Sequence, residues 1–312
     1  MLSRVAEHLY WMARYMERAE GLARLVNVNS NLVLDLPRSV TFGWEPLIAI
    51  TGSEPAFFEL YDEMDEKSVT RFLIADRRNP GSILSCIQNA RENLRSTRDL
   101  VPREAWEQVN DLYLHAYDRL RGGIAKSKRY DFLRGVIHSS QLLNGLLDGT
   151  MSHDEAYEFI RMGRNLERAD VTTRILDVRS ADLLPGRREE LTPFENIQWM
   201  SVLKSLTAYQ MYRQNVRVRV RGADVLRFLL QDREFPRALH FCLDQVEACL
   251  HDLPRNDAPL RSVTRLQRKV QEADVPELAD EGLHEFSDQI QLELGQVHEQ
   301  ISNTYFLLDR AA

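Results

Sequence analysis

The sequence is short of the residues that staple, kink or break a chain: 3 Cys, 14 Gly and 11 Pro among 312 residues. Three cysteines cannot build a disulfide framework, so a reducing compartment is the default and a cytoplasmic protein is expected. So little glycine and proline leaves little turn material, which disfavours a turn-rich all-β fold. No apolar run is long enough to span a bilayer, so no membrane is expected as a partner. The opening stretch MLSRVAEHLYWMARYMERAE is charged throughout and does not read as a secretory signal. Lysine is scarce too: Lys67, Lys126, Lys128, Lys204 and Lys269 stand against 35 Arg. A GC-rich genome produces that bias, and so does the use of arginine's planar fork in buried ion pairs or anion sites. A net charge of −7 makes a general nucleic-acid binder a poor reading.

What the chain does have is helical periodicity. Val5, Leu9, Met12, Met16, Ala19, Ala23 and Val26 fall on one stripe, with Pro37 as its stop. Leu283, Phe286, Ile290, Leu294, Val297, Ile301 and Leu308 repeat the pattern near the end. Ser152 with Glu155 reads as a capping box, and Thr192-Pro193-Phe194-Glu195 as a box with proline in the first turn. Strand alternation is confined to Val216–Arg221, where Arg213, Arg217 and Arg221 fit a helix face equally well. The expectation is an all-α helical bundle of about a dozen helices.

The chain also repeats itself. MARYMERAE at 12–20 returns as MGRNLERAD at 162–170, an offset of 150. VTRFLIADRRNPGSILSCI at 69–87 returns as VLRFLLQDREFPRALHFCL at 225–243, identical at eight of nineteen positions. Trp44 and Trp199 pair between these matches. The order and the near-constant offset predict a tandem duplication, repeat one 1–150 and repeat two 151–312, in a pseudo-twofold arrangement. No long Gly/Ser/Pro-rich linker divides the halves, so one fused helical domain over 1–312 is expected, with 180–193 as a helix connection.

The repeated motif carries the charge. At 100° per residue Arg14, Glu17, Arg18, Gly21 and Arg24 share one helix face, matched by Arg164, Glu167, Arg168 and Arg174. Two readings stand. In the first the face is solvated, or forms a reciprocal cross-helix network of Arg18 with Glu167 and Arg168 with Glu17. In the second, the two leading helices enclose a polar pocket. Glu17, Glu20, Glu167 and Asp170 would fix the arginine forks, and Arg14, Arg18, Arg24, Arg164, Arg168 and Arg174 would bind a carboxylate, phosphate or acidic peptide. Glu17 or Glu167 is then the candidate acid/base.

Other chemistry is thin. His240, Cys242, Cys249 and His251 suggest a metal quartet, but on one helix His240 points away from Cys242, so core cysteines and no metal are expected. Gly122-Gly123-Ile124-Ala125-Lys126-Ser127 lacks phosphate-loop spacing and reads as a basic helix connection. No dinucleotide fingerprint or nucleophile elbow is present, and no cofactor is expected. Arg91-Glu92-Asn93 with Arg95 and Arg98 has no second-half match and reads as an exposed helix face. Asp62, Glu63, Asp65 and Glu66 align with the segment holding Arg217, Arg219 and Arg221, which leaves open either complementary docking or two solvated surfaces. Those arginines have no interleaved aromatics for nucleic acid.

LYWMARYMERAE, NPGSI, AREN, GLLDGTMSHDE, GRNLERAD and FPRA, in this order, resemble the bacterial alpha-E family, helical proteins named for a Glu-Arg motif. That motif falls at Glu17-Arg18 and Glu167-Arg168. At Phe235-Pro236-Arg237-Ala238 the chain departs from the family's commoner serine, so a hydroxyl role is missing there. The resemblance implies an all-α fold and a gene beside, or fused to, that of a circularly permuted ATP-grasp protein, with transglutaminase-like proteins in the same neighbourhoods. It therefore implies an accessory or substrate-presenting subunit of an amide-ligase or peptide-modification system, with an ATP-grasp partner and an acidic or peptide substrate. An enzyme acting through Glu17 or Glu167, and a purely structural scaffold, are the alternatives.

Overall fold

The computed structural model describes residues 1–35, 43–181, 195–216 and 220–307. Among them are fifteen α-helices, a 3-10 turn at Arg98–Leu100 and no strand. The all-α expectation holds. The count exceeds a dozen because short helices occupy stretches too brief to show a period: α2 (Glu45–Thr51), α3 (Glu54–Phe58), α10 (Tyr209–Val216) and α14 (Val275–Asp280).

Two long helices form the centre. α1 (Ser3–Asp35) and α8 (Glu155–Ala181) pack along one another more extensively than any other pair. Around α1, α5 (Ile83–Ser96), α6 (Arg103–Leu120) and α7 (Lys126–Thr150) close a ring: α5 lies on α1, α6 on α5, and α7 on both α6 and α1. Around α8, α12 (Leu239–His251), α13 (Asp257–Glu272) and α15 (Leu283–Tyr305) do the same. α2 reaches across onto α8, and α9 (Glu195–Ser205) onto α1. The shorter α4 (Glu66–Ile74) leans on α1, α2 and α5, and α11 (Gly222–Gln231) on α12, α13 and α14. One continuous cluster of buried apolar side chains runs through both rings.

The predicted stripe is buried from Leu9 to Val26, and so is most of the opposite face, since α1 has neighbours on every side. Arg14, Glu17 and Glu20 are buried with it. This excludes a solvated face: a 3.6-residue period shows which residues share a face, not what covers it. The terminal stripe is buried along α15 apart from half-buried Phe286; Leu308, like Pro37 and Thr192–Phe194, lies outside the described residues.

Helix starts follow local chemistry. Asp65 caps α4 by accepting the Ser68 N–H, and Ser82 caps α5 by accepting that of Ser85. α8 corrects the capping box: Asp154, not Ser152, accepts the N–H groups of Ala156 and Tyr157. An Asp one residue before the helix already supplies the acceptor. The crossing of α1 and α8 depends on Gly163, where an added Cβ would sit 2.4 Å from the Tyr10 carbonyl oxygen.

Candidate functional site

Glu167 on α8 is 1% exposed and faces α1. Arg18 donates to it from both arms of its fork, Nε to Oε1 at 2.6 Å and Nη2 to Oε2 at 2.9 Å. Arg14, one turn back, donates Nε to Oε2 at 2.8 Å and its Nη1 to the Tyr10 hydroxyl at 3.2 Å. The reverse pairing is also present. Glu17 on α1, 3% exposed, has Arg168 Nε of α8 3.0 Å from its Oε2, an ion pair off the hydrogen-bond line. Its other oxygen accepts from Arg237, which also donates to Glu20 at 3.1 Å. Glu20 takes Arg24 as well, and Asp170 takes Arg174 at 2.9 Å, each within its own helix.

Most charged residues of the repeated motif thus come together as two clusters, in the reciprocal arrangement of Arg18 with Glu167 and Arg168 with Glu17, while Arg174 pairs with Asp170 on its own helix. Arg164 is the exception among the six arginines. It makes no ion pair among the described residues, reaches Asn144 at 3.4 Å and the Tyr157 hydroxyl, and its buried Nε has no hydrogen-bond partner. Burial, then the charge of neighbouring Arg168, lowers its pKa.

Burial alone would push both carboxyl groups up. At Glu17 the charges of Arg168 and Arg237 outweigh it and hold the pKa at about 2; at Glu167 those of Arg18 and Arg14 do the same and lower it. Both are therefore fixed as carboxylates, whereas a general base working near neutral pH is raised toward it. Their oxygens are already engaged.

Arg237 is the residue that sequence reasoning missed. It lies just before α12, its carbonyl held by the Thr172 hydroxyl of α8 at 2.9 Å. Its first-half counterpart in the repeat is Gly81, so comparing the halves offers it no charged match. The next residue explains the departure at Ala238: Ser82 caps α5 with its hydroxyl, while Ala238 opens α12 without a side-chain cap.

The remaining candidates fall into place as structure. All three cysteines are buried, and burial pushes the Cys86 and Cys242 thiols up to about 12. His240 pairs with Asp244. Arg91 lies over the Trp106 and Tyr113 rings, and Arg95 pairs with Glu92 on an exposed surface. Glu66 pairs with Lys126 and Arg129, both first-half residues; Arg217 and Arg219 lie outside the described residues. Among the described residues one group has metal-ligating geometry, Asp177 with His284 and Asp288, and there His284 Nδ1 lies 2.7 Å from Asp177.

The profile of a family described as a predicted alpha-helical domain with a conserved ER motif, Alpha-E, matches residues 1–306. The chain belongs to the Alpha-E family. An uncharacterised protein of Mycobacterium bovis and one of Mycobacterium tuberculosis are each 26% identical over 309 residues, which cover 90% of this chain and 34% of theirs. This Alpha-E chain thus spans about a third of the length of those relatives. No solved structure matches it. No helix among the described residues is long and apolar enough to cross a membrane.

Proposed function

We propose that this Alpha-E chain is an accessory module, not catalytic by itself, whose Glu-Arg motifs lock its two leading helices together. One observation carries this: Glu17 and Glu167 are buried, ionised and each paired with two arginines, principally from the facing helix. Removing one partner from such a cluster leaves a buried charge unpaired, at a cost of about 3–5 kcal/mol. In this reading the motif is structural, and carboxylates held so firmly ionised are poor proton acceptors near neutral pH. An enzyme using Glu17 or Glu167 as acid/base is accordingly disfavoured.

The partner in this reading is the circularly permuted ATP-grasp ligase that the resemblance implies, with a transglutaminase-like protein in the same system and an acidic or peptide substrate. The placement of the Alpha-E region within longer mycobacterial chains is in keeping with a module that serves other domains. We also read the fold as a duplication of 1–150 and 151–312 about a pseudo-twofold axis. Its support is the matched ring order around α1 and α8, and the thiols of Cys86 and Cys242, each within reach of the carbonyl of the proline six residues before it.

The test is affinity capture from the native host at low salt, run beside activity assays on the purified chain. Co-purification of an ATP-grasp protein with an inert isolated chain is the expected result. Turnover by the isolated chain that disappears in a folded Glu17→Gln variant would overturn the accessory reading.

A further inference from the structure

A groove of about 1350 Å³, lined by none of the Glu-Arg cluster residues, opens between α4, the turn into α5, the end of α6 and the start of α7. Seven cationic side chains and three carboxylates line it, on a chain whose overall charge is −7. The carboxylates are all committed. Glu66 holds Lys126 and Arg129, Asp76 holds Arg78, and Asp65 caps α4. Four cations are left without an ion pair among the described residues: Lys67 and Arg71 on α4, Arg77 on the following turn, and Arg121 at the end of α6. Arg77 reaches only the neutral side chain of Gln88, and Arg121 only the ring of Tyr117.

We propose that this groove binds a multiply charged anion bearing phosphate groups. Its concave walls concentrate the uncompensated positive potential, which a flat surface would lose to solvent. Arginine forks match phosphate oxygens two at a time. α7, a 25-residue helix, begins in the groove wall at Lys126, and its N-cap, Ala125, offers no side-chain acceptor. Its first N–H groups therefore add to a preference for phosphate that the arginines already establish. The volume exceeds the ~300–1,000 Å³ of ordinary small-ligand sites, so it suits an extended anion better than a single phosphate. The basic turn belongs to one half of the chain: where Asp76-Arg77-Arg78 stands, the matching second-half stretch reads Asp232-Arg233-Glu234.

The experiment is isothermal titration of the full chain at low salt with inorganic tripolyphosphate, and separately with a hexaglutamate peptide. Arg71→Gln/Arg121→Gln removes two exposed guanidinium groups from the groove; Arg95→Gln/Arg98→Gln removes two exposed ones outside it and serves as the control. Saturable binding of tripolyphosphate is expected, weakened about tenfold or more in the groove variant and unchanged in the control. No saturable binding, or equal weakening in both variants, would overturn the proposal. Tighter binding of hexaglutamate would also overturn it, by making the groove an acidic-peptide site.

Discussion

Glu167 and Arg164 lie three residues apart on α8 and carry opposite predictions. Glu167 satisfies two arginines, so Glu167→Gln leaves two guanidinium groups short of their counter-charge and should cost about 3–5 kcal/mol. Arg164 makes no ion pair among the described residues, and burial with the charge of Arg168 outweighs the attraction of Glu17, so Arg164→Met removes a poorly solvated charge and should be neutral or stabilising. Urea unfolding of both variants tests the pair; a strongly destabilised Arg164→Met would show that this arginine has a counter-charge in solution. Two other groups contribute to acid sensitivity in different pH windows. His298, against Tyr10, is lowered to about 4, first by burial and then by Arg14. Its unfolded form binds a proton near 6.5 and its folded form does not, so its contribution to stability falls as pH drops from 6.5 toward 4. Glu17, held at about 2, contributes stability that is full above 4.5 and is lost as pH falls from there toward 2. His284, raised by Asp177, works in the opposite sense to His298. The effect is therefore read as the difference between wild type and His298→Gln, which should shrink the loss of stability between pH 6.5 and 4 and leave the lower window intact. The residue identities of the clusters were legible because the motif recurs. Their burial was not, and Arg237 was missed because its repeat counterpart is a glycine.

At the level of elements, the crossing of the two central helices makes the sharpest demand. A Cβ at Gly163 would overlap the Tyr10 carbonyl, which belongs to helix backbone and cannot swing aside, whereas one at Gly21 would meet Val171 at an ordinary 3.7 Å. Gly163→Ala should therefore destabilise by about 1–3 kcal/mol or more, while Gly21→Ala should be tolerated or gain helix propensity. Equal melting temperatures for the two variants would refute that account of the crossing. Helix starts supply a second case. α5 has Ser82 as its cap and α12 has Ala238, so Ala238→Ser should restore an acceptor for the first turn of α12 and stabilise by about 0.5–2 kcal/mol. A loss of stability on denaturant unfolding would mean that the buried site has no room for the hydroxyl. Long helices were readable from their period, whereas α8 shows how local alternatives mislead. Ser152 and Asp154 are both good caps, and only the position of the first helical turn selects between them.

For the whole molecule, the two rings share their central pair, α1 and α8, and one apolar cluster runs through both. Neither leading helix can lose its partner without exposing buried ions as well as apolar surface, and each of these penalties alone exceeds the net worth of a surface contact. The sequence indicated this only indirectly, through the lack of a linker; the interleaving of α2 onto α8 and α9 onto α1 has no signature in periodicity, because it depends on where each short helix lands. Unfolding should then be a single cooperative event despite a length at which two independent domains are common. Hydrogen exchange followed by mass spectrometry through a denaturant series provides the test, with α6 reporting on the ring around α1 and α13 on the ring around α8. The two helices should lose protection at one midpoint. Separate midpoints would mean that the buried Glu-Arg clusters join two independently stable bundles, and α1 and α8 would then protect their amides according to their own rings.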